Sequence, residues 1–511
     1  VSPAAPLHDS ALAGLDARVT VPGYDRSQTL GKLAHIGVGG FNRSHLAVYL
    51  DDLLGMEAGG GWGEFGIGLL AGDKPTHLAL TAQNHLYGLL LKDAAGMSYR
   101  VIGSLVGHCL AQETPEAAIA AMSAKDCEIV SLTVTEGGYF LDDATGKFAE
   151  NDPQIRRDLE PSAQPKTWPG YVAAAAERRM SRGGAPFTLM SCDNLQGNGH
   201  AARAALLAFA ELKDARLRRW IEANVLFPNS MVDRITPRTT DADREAVARD
   251  FGVDDRALVV SEPFRQWVLE DTFAAGRPAW ELAGAQMTAD VAPYEAMKMR
   301  LLNGGHSALG YCAALLGIEY VSDALRDPLL RRLLSAFLAE AKPAVPPLPG
   351  IDLDEYAATI VERFANPRIR DQISRICSNG SAKIAKFLLP TARDLLAAGA
   401  QPRVIPLAIA SWLRYLGGKD DQGAAIEIIE PDPELPGAFL SECGRDAGAA
   451  VPGRSPGQFP GQCLFGDVAA IHPEFVESIK KSLLDFRSLG ARRTIERALD
   501  QNHPGETTWP H

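Results

Sequence analysis

The sequence predicts an α/β protein in two parts: a doubly wound α/β domain over residues 1–290 and a mainly α-helical domain over residues 291–511. Three observations carry this. In the first half, short apolar runs alternate with glycine- or asparagine-rich turns and amphipathic helical stretches, the pattern of a parallel sheet covered by helices. Beyond residue 290, alanine, leucine and arginine at helical spacing take over. The chain also has 511 residues, more than one ordinary hydrophobic core serves.

Residues 1–30 read as a leader wrapping the surface. Leu33 to Val38 is the first strand of "KLAHIGVGGFNRSHLAVYLDDLL" and meets Gly37, Gly39 and Gly40 before a helix. "EFGIGLL" is a second buried strand ending in "AGDK", which carries Asp73. "YGLLLKD" and "YRVIGSL" alternate as strands do. "CEIVSLTVTEGGYF" is another buried strand, with Thr133, Thr135 and Glu136 at its end. "PFTLMSCDNLQGNGHAARAALLAFAELK" repeats strand, polar turn, helix, and "NVLFPNSMVDRITP" gives one more polar turn. In the second domain "DPLLRRLLSAFLAEAK" and "PRVIPLAIASWLRYLGG" are helices, while "KPAVPPLPGIDLDEY" and "VPGRSPGQFPGQ" are loops.

Composition excludes several classes. A net charge of −12 repels phosphate backbones, and no basic run interleaves with aromatics, so no nucleic-acid partner is expected. Hydrophobic content of 46% and charged content of 22% fit a globular chain. The 7 cysteines are scattered, without a CxxC pair, which points to a reducing compartment rather than a disulfide framework. No signal peptide and no membrane span is legible, so a cytoplasmic location is the expectation.

Gly37, Gly39, Gly40 and Phe41 sit where a strand becomes a helix. Glycines there permit a tight turn and let backbone N–H groups approach a pyrophosphate. The third position of the GxGxxG pattern is Asn42, and a plain structural turn is the competing reading. An acid such as Asp73 after the second strand can bind a ribose 2′-hydroxyl and repel a 2′-phosphate, which favours NAD over NADP. Lys74 beside it works the other way. Thr133, Thr135 and Glu136 face the same crevice or cap the strand.

The most distinctive run is "YEAMKMRLLNGGHSALGY", residues 294–311. If it is one α-helix, Glu295, Lys298, Asn303 and His306 share an arc of roughly 140° at 100° per residue. Gly304 and Gly305 would let a backbone or ligand come close. A desolvated lysine can act as general base towards an alcohol, and asparagine amides can stabilise the developing alkoxide. The bland alternative is a snorkelling lysine, a capping asparagine and a satisfied core histidine.

With "HIGVGGFNRSHLAVYLDDLL", "SLTVTEGGYF", "SCDNLQGNG", "NSMVDRITP" and "KMRLLNGGHSALGY" in this order, the chain resembles the polyol-specific long-chain dehydrogenases of the mannitol 2-dehydrogenase family. The core K-x-x-x-x-N-x-x-H is the most specific match. The resemblance implies a Rossmann-type N-terminal domain, a helical C-terminal domain, an active site between them, and catalysis without zinc. It assigns Lys298 as general base, Asn194 and Asn303 as alkoxide-stabilising amides and His306 as a substrate-orienting residue. It further assigns Asp233 as a substrate contact, Glu295 as a proton relay, and Arg375 and Lys383 as a polyol-binding pair. The family often has histidine where Asn42 stands, which bears on fine contacts with the cofactor. A polyol or ketose substrate, of the mannitol/fructose or the arabinitol/xylulose type, and a monomeric state are implied.

Two other functions stay open at this point: a hexuronate reductase, which would need an extra cation facing the substrate carboxylate, and a non-catalytic dinucleotide sensor, which has no need of a base. A zinc alcohol dehydrogenase is disfavoured, because the 11 histidines and 7 cysteines form no HExxH and no ligand cluster. His35, His45, His77 and His85 read as structural.

Overall fold

The computed structural model describes residues 4–56, 59–142, 146–161, 163–430 and 472–500. The chain divides into two compact units, Val1–Ala292 and Pro293–His511. The loop expected around residue 455 lies outside the described residues.

The first unit is built on a five-stranded parallel sheet. Its strands are β1 (Leu30–Ile36), β2 (Trp62–Gly68), β3 (Leu105–Leu110), β4 (Ile129–Leu132) and β5 (Thr188–Ser191). They lie in the order β3-β2-β1-β4-β5. Leu33, Ala34 and Ile36 of the central strand are fully buried, as a parallel strand covered on both faces requires. The order reverses beside β1, and such a switch point opens a ligand crevice at the carboxyl ends of the strands.

Helices fill the crossovers. Beyond β1 the single helix expected from the sequence is two: α1 (Gly40–Ser44) and α2 (Leu46–Leu54), broken at His45, whose backbone is non-helical. The buried His45 ring stacks on Phe41 and donates from Nε2 to the Gln266 carbonyl, 3.0 Å away, which fixes the break. α3 (Lys74–Ala82), α4 (Pro115–Ser123), α5 (Trp168–Ser181) and α6 (Asn198–Lys213) follow β2 to β5 in turn. The run expected as a polar turn near residue 230 contains a strand, β6 (Ser230–Asp233), paired antiparallel with residues 266–269. The two runs expected as strands are Tyr87–Lys92 and Met97–Ile102, and they pair antiparallel.

The second unit is helical among its described residues. α7 (Ala292–Lys298) enters it, a π-helical turn (Met299–Asn303) follows, and α8 (Gly304–Leu315) continues. Apart from His306, every residue of α8 is buried, so it is the core helix. It packs against α9 (Pro328–Ala341), α11 (Ile373–Cys377) and α14 (Val404–Tyr415). Between these lie α10 (Leu353–Phe364), α12 (Gly380–Lys383), a second π turn (Ile384–Leu388) and α13 (Leu389–Ala397); α15 (Pro473–Asp500) packs on α14.

Candidate functional site

In the first unit the crevice is built from the ends of four strands. Gly37 has φ +96°, and a Cβ there would stand 2.1 Å from the Thr133 carbonyl oxygen, so only glycine fits. The Thr133 hydroxyl donates to the Gly37 carbonyl at 2.6 Å. The His35 ring bonds both the Ser131 hydroxyl and that of Thr133. The glycine turn is thus fastened to the end of β4. Gly39 is exposed, and a Cβ on it would meet nothing closer than 3.9 Å. The turn therefore leaves open space above bare backbone, which suits a pyrophosphate.

Asp73 lies in a short 3-10 turn beyond the end of β2, where its carboxylate accepts the Leu70 N–H at 2.8 Å. Lys74 pairs with Glu113 at 2.8 Å on the surface. Thr133 follows the last residue of β4, and Thr135 and Glu136 are exposed beyond it. Thr135 holds φ +65° and ψ 163°, a conformation that costs a non-glycine residue about 1–3 kcal/mol.

What holds Thr135 there is Asp193, a residue the sequence reading passed over. Its buried carboxylate accepts the N–H groups of Val134 and Thr135 at 3.0 and 2.9 Å and the Tyr139 hydroxyl at 2.7 Å. Burial raises its pKa, and those bonds oppose the shift. Asn194 follows it directly and is exposed. The N-cap position of α6 is Gly197, which has no side chain of its own to cap with. Asn229 takes that part: its Oδ1 accepts from Gly199 and His200 N–H at 3.0 and 3.2 Å. Asn198 reaches back to Ser230, donating to its carbonyl at 2.8 Å and accepting its N–H at 2.9 Å. The segments "SCDNLQGNG" and "NSMVD" are therefore one interlocked structure, and Asp233 stands buried at its end, on β6. Arg234 donates to the Glu262 and Ser44 carbonyls.

In the second unit Glu295 and Lys298 are buried, three residues apart on α7, and so neighbours on one face. The continuous α-helix assumed for residues 295–306 is corrected by the π turn. In an i→i+5 turn residues four and five apart are neighbours, as three and four are in an α-helix. Asn303 is thereby carried back towards the face of Lys298 instead of lying roughly 140° from it. Gly304 and Gly305 do not open space for a ligand. Their Cβ positions lie 2.8 Å from Phe337 and 3.1 Å from Leu334, so both serve close packing against α9.

Asn303 Oδ1 and His306 Nε2 are buried and have no hydrogen-bond partner among the described residues. Such orphans cost free energy unless a ligand meets them. The His306 ring stacks on Phe364, and burial pushes its pKa down to about 3, opposed by Asp371 and reinforced by Arg375, Arg363 and Lys383. The imidazole is neutral at physiological pH. Arg375 is paired with Asp371, with Nε 2.6 Å from its carboxylate, and Lys383 Nζ donates to the Ile376 carbonyl at 2.9 Å. Arg300 fastens the π turn by an ion pair to Asp394 and a bond to the Ala344 carbonyl. The two π turns lie against each other, each following a lysine, Lys298 and Lys383. Neither Phe364 nor Asp371 carries a signal in the sequence, because both meet His306 only through the fold. Among the described residues no group of three or more His, Cys, Asp or Glu could hold a metal ion.

Residues 31–282 match the family model described as the mannitol dehydrogenase Rossmann domain, and residues 290–439 match the mannitol dehydrogenase C-terminal domain. A mannitol 2-dehydrogenase of Aspergillus fumigatus is 39% identical over 501 residues, covering 97% of this chain and 98% of that one. A solved ternary complex of Pseudomonas fluorescens mannitol 2-dehydrogenase with NAD and D-mannitol superposes with a TM-score of 0.86 at 40% identity, covering 97% of this chain and all of that one. A D-sorbitol dehydrogenase in substrate-free form gives a TM-score of 0.85 at 34% identity, covering 96% of this chain and 100% of its own. With both halves matched in order and nearly full-length relatives at this identity, the chain belongs to the mannitol dehydrogenase family.

Proposed function

We propose that the protein is an NAD-dependent mannitol 2-dehydrogenase that interconverts a polyol and its 2-ketose, D-mannitol and fructose in the first instance. Its family and its relatives support the activity. The observation that carries the roles of residues is the pair of orphaned buried atoms, Asn303 Oδ1 and His306 Nε2, on the helical run that holds the buried Lys298.

NAD supplies the hydride acceptor, and Gly37, Gly39, Gly40, Phe41, Asp73, Thr133, Thr135 and Glu136 are the residues that would hold it. Lys298 takes the proton of the reacting hydroxyl as general base. Asn303 and Asn194 stabilise the alkoxide oxygen; turned about its Cβ–Cγ bond, the Asn303 amide presents a donor where Oδ1 now lies. The neutral His306 ring orients the substrate through Nε2. Asp233, Arg375 and Lys383 hold the remaining hydroxyls, and Glu295 passes the proton outward. No step uses zinc, and the enzyme acts as a cytoplasmic monomer.

The test is initial rates with NAD⁺ and NADP⁺ against D-mannitol, D-arabinitol, D-sorbitol and D-mannonate. NADH formation fastest with D-mannitol is expected. Turnover of D-mannonate alone would instead assign a hexuronate reductase.

A further inference from the structure

Beneath the glycine turn lies a polar pair that the reaction does not use. Asn42, in α1, stands where the dinucleotide-binding pattern ordinarily has a third glycine for close packing of helix on strand. Its side chain is buried, and Nδ2 donates to Glu64 Oε2 at 3.3 Å. Glu64, the third residue of β2, is completely buried, and its strand neighbour in β1 is Leu33. The two remaining atoms, Asn42 Oδ1 and Glu64 Oε1, are both buried and without a partner among the described residues.

These orphans are complementary in one protonation state only. Asn42 Oδ1 is an acceptor. Glu64 Oε1 is an acceptor when ionised and a donor when protonated. A carboxylic acid facing a primary amide can close two parallel bonds, N–H to Oε2 and O–H to Oδ1, and so satisfy both groups. A carboxylate leaves both orphans in place.

We propose that Asn42 and Glu64 form a neutral amide–carboxylic acid pair that positions the glycine turn for the dinucleotide. The proposal rests on the reading of Gly37 to Phe41 as the pyrophosphate turn. Burial supports it by raising the Glu64 carboxyl to about 8, opposed by the Asn42 bond. The titratable groups that face Glu64 are the Tyr87 phenol and the Cys192 thiol, both kept neutral by burial. The Arg43 guanidinium beside Asn42 is turned to the Ala257 carbonyl and the Tyr87 ring. With no cation among the described residues to stabilise the carboxylate, ionisation leaves an unpaired buried charge under the turn.

The experiment has two arms. Infrared difference spectra between the wild type and E64Q read protonation directly. A carboxylic-acid C=O band at pH 7, lost in E64Q and in wild type at high pH, is expected; its absence at pH 7 overturns the pair. NADH affinity by fluorescence reads positioning. The wild-type Kd should rise roughly tenfold or more between about pH 7 and about pH 9.5, while the Kd of E64Q, whose side chain cannot ionise, should be flat. N42A and E64L should each weaken NADH binding several-fold, with the double variant costing less than the sum. A wild-type pH dependence retained by E64Q overturns the proposal. G39V, whose side chain projects into the open space of the turn, tests the underlying reading separately. Undiminished NADH binding by G39V overturns that reading and the positioning role with it. Weak binding by G39V with no acid band overturns the pair alone.

Discussion

The ring of His306 lies flat on that of Phe364, with centroids 3.9 Å apart and planes 5° from parallel. The stack fixes the direction of Nε2, so if His306 orients the substrate as proposed, Phe364 governs that orientation without carrying any polar group. Phe364→Ala should raise the KM for polyol about tenfold and lower kcat less, and should cost about 3 kcal/mol of stability. Steady-state kinetics beside thermal melts separate the two. An equal fall in kcat with KM unchanged would remove the orienting role.

Lys298→Ala should reduce turnover by about 10²–10⁴-fold, the range of general-base contributions. NADH binding should persist, and small primary amines added to the buffer should restore part of the rate. Loss of NADH binding together with turnover would show a structural lysine instead.

Deleting Leu302 should convert the π turn into continuous α-helix, since one residue fewer closes the same span with i→i+4 bonds. The fold, NADH binding and most of the turnover should survive, because Asn303 and His306, then four and seven residues after Lys298, lie within about 40° of it at 100° per residue and keep its face. Circular dichroism, NADH titration and initial rates read the three parts. Loss of turnover with fold and NADH binding intact would show that sharing one face is not enough and that the π turn itself is needed.

His35, His45, His108 and His306 are each pushed to about 3 by burial. A depressed histidine leaves the unfolded chain binding more protons, so the stability these groups contribute is full above pH 6.5. It drains away as pH falls from 6.5 towards 3, by about 2 kcal/mol per histidine at pH 5. Thermal melts should therefore drop steeply on acidification below pH 6.5, and His108→Gln should flatten that slope. A melting temperature indifferent to pH between 7 and 5 would contradict this account.

A chelator such as EDTA should leave the rate of oxidation unchanged after prolonged dialysis, as expected of lysine-based proton transfer. Recovery of a lost rate on adding Zn²⁺ would count against that chemistry.

Much of this was legible in the sequence because it depends on local chemistry. The strand–glycine–helix alternation gave the doubly wound sheet, and Gly37 declared a turn that only glycine can make. The buried run around Lys298 stood out through polar residues in an apolar setting. What escaped was whatever depends on distant partners or on helix phase. A π turn has no composition of its own, and Arg300 holds it through Asp394 and Ala344, far along the chain. The break at His45 follows from the Gln266 carbonyl and the Phe41 ring. Asp193 was hidden beside Asn194: its work is done on the backbone of another strand's end, which no spacing within "SCDNL" announces.

That backbone includes Thr135, held at a dihedral pair that a threonine resists. Relieving it is simple: Thr135→Gly adopts the same conformation without steric strain, at an entropic cost of about 0.5–1 kcal/mol that is smaller than most of the strain range it removes. At this position heat tolerance and catalytic power should therefore pull in opposite directions. The glycine variant should melt at higher temperature and turn over more slowly, since a loop freed from its constraint wanders. A protein engineer seeking a hardier enzyme would find the gain here quickly, and would be giving up the fixed edge against which, on the proposed reading, the coenzyme is laid.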